Sequence, residues 1–283
     1  MSWSFTSKIK LNDGHLMPVF GLGLYQAAST LKTTQIVADA IRLGYPLIDT
    51  AEIYGNEAQV GEAMKNNIER EKIFISTKLF RTNDGREGLH KSFNRSLQKL
   101  DTNYVDLYLM HAPQGGHVLE VYREILQLQS EGKIRSVGVS NFGVQHLKWL
   151  KQAGFVPAVN QIELHPWWPN EDIVEYCREN NIAIMGYSPL GKARFLDDPY
   201  LQKIAVQYGK TPAQILIRWS LQNGFITIPK TSSSIERLKE NMAVFDFTIS
   251  DDDMKDIARY GKKKPQNTGW NPTLNTKKDF GPL

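Results

Sequence analysis

Cysteine is nearly absent: Cys177 is the only one in a chain of 283 residues. No intrachain disulfide can form, and CxxC or cysteine-rich zinc patterns are excluded. Cys177 sits in an amphipathic helical pattern and reads as a small core residue rather than a nucleophile. Long apolar runs are missing too, so no stretch suits a membrane span. The opening residues Met1-Ser2-Trp3-Ser4-Phe5 show no basic segment followed by an apolar one, so no signal peptide is visible and the cytoplasm is the expected compartment. Charge of one sign is not in excess, with 34 Lys and Arg against 30 Asp and Glu and a net charge of +4. The only dense run, Lys262-Lys263-Lys264, reads as a solvated helix end, so no nucleic-acid partner is expected. The six histidines lack His-x-His and HExxH spacing, so no metal site is expected. No heptad or unbalanced apolar helix stands out, which points to a monomer. A phosphate-binding Gly-x-Gly-x-x-Gly turn is also missing. The nearest approach, Gly21-Leu22-Gly23-Leu24-Tyr25-Gln26, lacks the third glycine, which argues against a doubly wound dinucleotide fold.

What remains is a regular alternation. A hairpin opens the chain at about 7–17, with Asn12-Asp13-Gly14 as its turn. Eight short apolar strands are then predicted, at 19–23, 46–50, 73–78, 105–111, 134–140, 158–162, 182–188 and 225–229. Several are apolar nearly throughout, as suits parallel strands covered on both faces. Segments of period near 3.6 lie between them, at 33–43, 57–67, 87–99, 118–131, 144–152, 171–180, 200–208 and 212–223. The last begins with Thr211 as cap, Pro212 in the first turn and Gln214 closing a capping box. Ser250 before Asp251-Asp252-Asp253 is a second helix start. Eight strands with helices between them and no long linker predict an α/β fold, one (β/α)8 barrel domain over 1–283. The barrel spans about 19–260, and a C-terminal tail covers 261–283.

In such a barrel function gathers at the C-terminal ends of the strands. The polar residues expected there are Asp49, Lys78, His111, Ser140 with Asn141, Gln161 through Glu163, Tyr187 with Ser188, and Lys230. A buried carboxylate requires a partner, and Lys78 on the next strand supplies one for Asp49. Tyr54, just beyond the second strand, is within reach of that ammonium. A nearby cation lowers a phenol's pKa and makes it a competent general acid, and His111 can orient a carbonyl oxygen. Taken singly, Asp49 reads equally as a structural partner, Lys78 as a solvated charge, His111 as a core histidine and Tyr54 as a core aromatic. The cluster on three successive strands is what argues for a site. A Schiff-base aldolase with Lys78 as nucleophile is a rival on the same barrel. Asp49 counts against it, because ion pairing keeps the lysine protonated.

The chain resembles the aldo-keto reductases over nearly its whole length. The resemblance rests on LIDTAEIYGNE (47–57) after Gly44-Tyr45, STKL (76–79), YVDLYLMH (104–111), GKIRSVGVSNF (132–142), NQIELHP (160–166), YSPLG (187–191) and IPKT (228–231). Membership would imply a tetrad of Asp49, Tyr54, Lys78 and His111, and hydride transfer from NADPH to an aldehyde or ketone. Tyr54 would be the acid, Lys78 held by Asp49 would lower its pKa, and His111 would orient the carbonyl. It would also imply that Ser140, Asn141 and Gln161 hold the nicotinamide carboxamide, with Tyr187 stacked on its ring. Ser188, Leu190 and Gly191 would lie along the pyrophosphate, and Lys230, Thr231, Arg237 and Asn241 around the adenosine end. Lys and Arg there suit a 2′-phosphate and favour NADP over NAD. Departures from the family pattern fall at Tyr25, Phe80 and Ala112, all three expected to line the substrate pocket. The run 231–236 is one residue longer than usual. The connections after His111 and Tyr187 are short, as in compact microbial members, which predicts an open pocket with broad carbonyl acceptance. Trp270 in the tail is a candidate lid residue. The alternative within the family is a noncatalytic NADP-binding regulatory or structural barrel.

Overall fold

The computed structural model describes residues 3–65, 67–231 and 234–283. Strands β1 (Lys8–Lys10) and β2 (Leu16–Pro18) form the antiparallel hairpin. Eight parallel strands follow in sheet order equal to chain order: β3 (Leu22–Gly23), β4 (Leu47–Asp49), β5 (Phe74–Leu79), β6 (Val105–Met110), β7 (Ile134–Ser140), β8 (Val159–Glu163), β9 (Ala183–Tyr187) and β10 (Ile226–Thr227). The sheet closes on itself. Phe20 bridges Thr227 and Gly23 bridges Lys230 in parallel, and Gly23 N–H donates to the Pro229 carbonyl at 3.1 Å. A Cβ at Gly23 would lie 2.8 Å from the Ile228 carbonyl oxygen, so glycine is what lets the first and last strands approach. The outcome is the expected (β/α)8 barrel. The first and last strands are shorter than predicted because they pair through bridges rather than long ladders.

Helices α1 (Leu31–Arg42), α2 (Glu57–Lys65), α3 (Gly85–Leu100), α4 (Val118–Ser130), α5 (Val144–Gln152) and α6 (Glu171–Glu179) follow the strands in turn. Two helices, α7 (Pro199–Tyr208) and α8 (Pro212–Gln222), separate β9 from β10. At the start of α8 the Thr211 hydroxyl accepts from Gln214 N–H while the Gln214 side chain accepts from Thr211 N–H, a box worth about 1 kcal/mol. Helix α9 (Ile235–Met242) was not expected from periodicity: it has eight residues, of which Leu238 and Asn241 are buried. The charged run closes α10 (Asp251–Lys262), and the tail continues to a short helix, α11 (Lys277–Phe280), whose Phe280 is buried. Cys177 is buried in the core, and burial pushes its thiol up to about 12.

The period-two pleat explains where the chemistry lies. Inside the barrel, Leu47, Phe74, Leu107, Leu109, Val159, Met185, Ile226 and Ile228 form one apolar cluster. Leu11 and Met17 of the hairpin plug its lower end. Their alternating neighbours Ile48, Ile75, Tyr108 and Ile162 pack outward against the helices. The inward positions turn polar at the upper ends: Asp49 after Leu47, Ser76 and Lys78 after Phe74, His111 after Leu109, Gln161 and Glu163 after Val159. Each strand is greasy below and polar above on one face.

Candidate active site

Lys78 and Asp49 form the buried centre. Lys78 Nζ, fully enclosed, donates to Asp49 Oδ2 at 2.7 Å and to the Thr50 carbonyl at 2.8 Å. Asp49 Oδ1 accepts from Ser76 Oγ and Gln161 Nε2, both at 2.9 Å. Burial pulls the Lys78 ammonium pKa down and the Asp49 carboxylate pulls it back up. Each ion offsets the other's desolvation, and the surrounding donors and acceptors complete their shells.

Tyr54 sits on a short turn, Glu52–Tyr54, that its own motif secures. Gly55 takes φ of +71° to leave the turn. Asn56 donates to the carbonyls of Leu24 and Ala27 at 3.0 and 2.9 Å and accepts from Thr50 Oγ1. Glu57, completely buried, accepts from Thr77 Oγ1 at 2.7 Å, and Glu52 accepts from Phe80 N–H at 2.7 Å. The turn is thereby tied to the first and third barrel strands, which fixes the phenol over the barrel mouth. Lys78 Nζ lies 4.9 Å from the Tyr54 ring centroid. The expected direction of the phenol's pKa is not what this environment produces. Burial first, and the Asp49 carboxylate second, push Tyr54 well above the usual tyrosine value. Desolvation of the enclosed phenol, reinforced by the carboxylate, outweighs the help a nearby ammonium gives the phenolate. Tyr54 is therefore a protonated donor throughout the neutral range.

His111 stands edge-on to Tyr54, ring centroids 5.6 Å apart, and also meets Phe80 at 5.8 Å and Trp270 at 5.9 Å. Burial, with Lys78 nearby, lowers its pKa from 6.5 to about 3. The neutral ring carries one proton. Its Nδ1 is buried without a partner, which leaves Nε2 as the nitrogen able to donate to a carbonyl oxygen. Between pH 6.5 and about 3 the unfolded chain binds this proton and the folded chain does not. Stability is therefore lost as pH falls through that window, by up to ~1.4 kcal/mol per pH unit from this residue. His111→Gln is expected to flatten that part of the acid limb, as read from urea midpoints across the window. An unchanged slope would show that other groups set it.

A cavity of about 940 Å³ opens over these residues. Asp49, Tyr54 and His111 line it, together with Ser140, Asn141, Gln161, Tyr187, Ser188 and Leu190. Lys230, Thr231, Arg237 and Asn241 line it too, as do Tyr25, Phe80 and Trp270. Lys78 lies beneath the surface, screened by its partners. Two expected residues do not line the cavity. Ala112 is buried behind it, because the chain turns inward after His111, and Gln114 reaches the cavity instead, donating to the Phe80 carbonyl at 3.1 Å. Gly191 is buried, and a Cβ there would meet the Phe195 ring at 2.7 Å, so it serves packing and its neighbours Leu190 and Lys192 face the cavity. The longer run 231–236 includes Ser232 and Ser233, which lie outside the described residues. Arg81, Gln114, Lys192 and Thr268 also line the cavity. They lie on loops or, for Lys192, in the short 3-10 turn Gly191–Ala193, where periodicity carries no signal.

The upper strand ends form one network. Asn141, in the left-handed region at φ of +60°, donates to the His111 carbonyl at 2.9 Å and accepts from the Tyr187 hydroxyl at 2.8 Å. Ser140 Oγ donates to the Gln161 carbonyl at 2.9 Å. Lys230 donates to the Gln26 carbonyl at 3.2 Å. Burial and Lys192 hold its ammonium below the ordinary range. Thr231 Oγ1 is buried beside it with no partner among the described residues. Basic side chains and a buried hydroxyl without a partner among the described residues, lining one cavity, fit a phosphorylated dinucleotide. Among the described residues no cluster of His, Cys, Asp or Glu could hold a metal ion, and no helix is long and apolar enough to cross a membrane.

A buried tyrosine, a neutral histidine and a lysine–aspartate pair under a cavity at a barrel's C-terminal mouth, with basic side chains on the same wall, point to the barrel oxidoreductases as a class. The aldo/keto reductase family profile matches residues 19–262. The chain is 39% identical over 274 residues to the glyoxal reductase of Bacillus subtilis strain 168, covering 96% of this chain and 98% of that protein. It is 42% identical to methylglyoxal reductase DkgA of Escherichia coli K12, covering 90% and 94% respectively. The crystal structure of a Gox0644 mutant in complex with NADPH superposes with a TM-score of 0.89 at 37% identity, covering 96% of this chain and 99% of that one. The chain belongs to the aldo/keto reductase family and is an NADP(H)-dependent oxidoreductase of carbonyl compounds.

Proposed function

We propose that this protein reduces a broad range of small aldehydes and ketones, including α-dicarbonyls of the kind named for its relatives, with Tyr54 as the general acid. The observation that carries the reading is the meeting of Tyr54 and His111 at the cavity wall over the buried Lys78–Asp49 pair. Bound NADPH supplies the hydride. His111 Nε2–H and the Tyr54 hydroxyl together hold the carbonyl oxygen, and Tyr54 transfers its proton as negative charge grows there. Lys78, fixed by Asp49, stabilises the phenolate left behind. Ser140, Asn141 and Gln161 would hold the carboxamide, Tyr187 the nicotinamide ring, and Ser188 and Leu190 the pyrophosphate. Lys230, Thr231, Arg237 and Asn241 would surround the adenosine 2′-phosphate. Tyr25, Phe80 and Trp270 supply apolar walls for the substrate. We further propose that the chain works as a single barrel domain, as a cytoplasmic monomer.

The test is NADPH consumption with methylglyoxal and an aromatic aldehyde. Turnover is expected with both, and tight NADPH binding without turnover across a panel of aldehydes and ketones would favour the noncatalytic alternative. For the cofactor end, Arg237→Met is expected to weaken NADPH binding roughly tenfold, since Arg can engage a phosphate bidentately. NADH binding should change by less than about twofold, because it lacks that phosphate. Equal weakening of both, in fluorescence titrations, would remove Arg237 from the 2′-phosphate site.

A further inference from the structure

Glu163 is a buried carboxylate at the upper end of β8 that the chemistry above does not use. It is 3% exposed, and its oxygens are spent on two segments. Oε1 accepts from Thr268 N–H at 2.8 Å and bonds His165 Nε2 at 2.8 Å, and Oε2 accepts from Thr268 Oγ1 at 2.9 Å. Thr268 belongs to the C-terminal tail, and both Thr268 and Trp270 line the cavity. Around this point the tail's other bonds to the barrel are made through its own backbone atoms, two of them to basic side chains. Gln266 N–H donates to the Trp167 carbonyl at 2.9 Å, Arg194 to the Asn267 carbonyl at 3.1 Å, and Lys192 to the Thr268 carbonyl at 3.3 Å. Farther on the tail has separate anchors. Asn275 donates to the Pro113 carbonyl at 3.2 Å and its own carbonyl meets His146 at 2.7 Å, while Phe280 is buried. Glu163 thus governs the strap 266–270 and not the tail as a whole.

We propose that Glu163 is a positioning residue for the carbonyl substrate. Through Thr268 it holds the strap so that Trp270 stands edge-on to His111 and closes the substrate half of the cavity. The physical basis is that Trp270 is half exposed, with 46% of its surface open, so burial alone does not fix it. A charged acceptor with two short bonds from a residue two positions away is the strongest restraint on it. Without that restraint the indole samples positions away from His111, and an aromatic or apolar substrate loses one wall. The proposal rests on the reading that carbonyls are reduced at Tyr54 and His111.

Four proteins test it: wild type, Glu163→Ala, Trp270→Ala and the double variant. Glu163→Ala is expected to raise KM for benzaldehyde roughly tenfold with kcat nearly unchanged, as loss of uniform substrate binding does. The NADPH dissociation constant should stay within about threefold. In the Trp270→Ala background the same substitution should change KM by less than about twofold, because the residue it acts through is gone. Glu163→Gln, which keeps an acceptor toward Thr268 N–H and a donor toward its hydroxyl, should restore most of the wild-type KM. An equal KM increase in both backgrounds, or an unchanged KM in Glu163→Ala, overturns the proposal. If Glu163→Ala does not fold, Thr268→Val removes the Oε2 contact alone. It should raise KM in the wild-type background and not beside Trp270→Ala, and any other pattern overturns the proposal. If wild type turns over no carbonyl, the reductase reading fails on its own. The strap is then judged by hydrogen exchange at 266–270, which must quicken in the Glu163 or Thr268 variant for the anchoring to stand.

Discussion

Tyr54→Phe is expected to lower kcat for aldehyde reduction by about 10²–10⁴-fold, the range typical of losing a positioned general acid, while NADPH binds as in wild type. The substitution removes one oxygen and leaves the ring. The ring keeps its contacts with Tyr25 at 5.2 Å, His111 at 5.6 Å and the Lys78 ammonium at 4.9 Å. The turn that carries it depends on Glu52, Gly55, Asn56 and Glu57 and not on the hydroxyl. The melting temperature should therefore stay near wild type, and the loss should lie in kcat rather than in cofactor affinity. Single-turnover mixing of enzyme-bound NADPH with excess aldehyde reads this directly. If kcat falls less than tenfold, another group delivers the proton, with Tyr25 and His111 as the neighbouring candidates.

The second large effect is on stability. Lys78→Met leaves the Asp49 carboxylate, itself 2% exposed, without its cation in the barrel interior. Breaking a buried pair from one side costs about 3–5 kcal/mol. The remaining donors, Ser76 Oγ and Gln161 Nε2, soften this without supplying charge. Asp49→Asn combined with Lys78→Met removes both charges and is expected to recover at least half of that loss, as compensated removal of a buried pair generally does. Chemical unfolding of the two variants against wild type measures both values. A double variant no more stable than Lys78→Met alone would show that the cost lies in packing around the lysine stem. Either variant should be inactive, so stability and activity separate in the same pair of proteins.

Much of this arrangement was legible along the chain. The barrel was readable because its strands are buried on both faces, so they appear as short apolar runs between helical periods, and β7 and α5 have the predicted limits. Asp49, Lys78 and His111 could be ranked as candidates because each is a polar residue ending an apolar run, which needs a reason. Tyr54 was marked only by its neighbours, since a tyrosine in a loop carries no periodicity. Ala112 and Gly191 were misplaced for the same cause: beyond the last strand residue the pleat no longer dictates which way a side chain faces. Glu163 stands at the polar upper end of β8 and was visible, but its partner Thr268 lies 105 residues away, and nothing local links them.

Composition and pattern by themselves determined that this is a protein without disulfides, built as a barrel, with ionisable groups at one end of its strands. These properties follow from the chemistry of single residues and their spacing. Tertiary structure decided the rest. It buried Tyr54 beside the Asp49 carboxylate, so that the phenol is held protonated where the lysine alone argued for the opposite. It also brought the tail across the mouth to set Trp270 against His111. Both depend on burial and on distances between residues far apart in the chain, and a field or a solvent boundary exists only once the chain has closed around it.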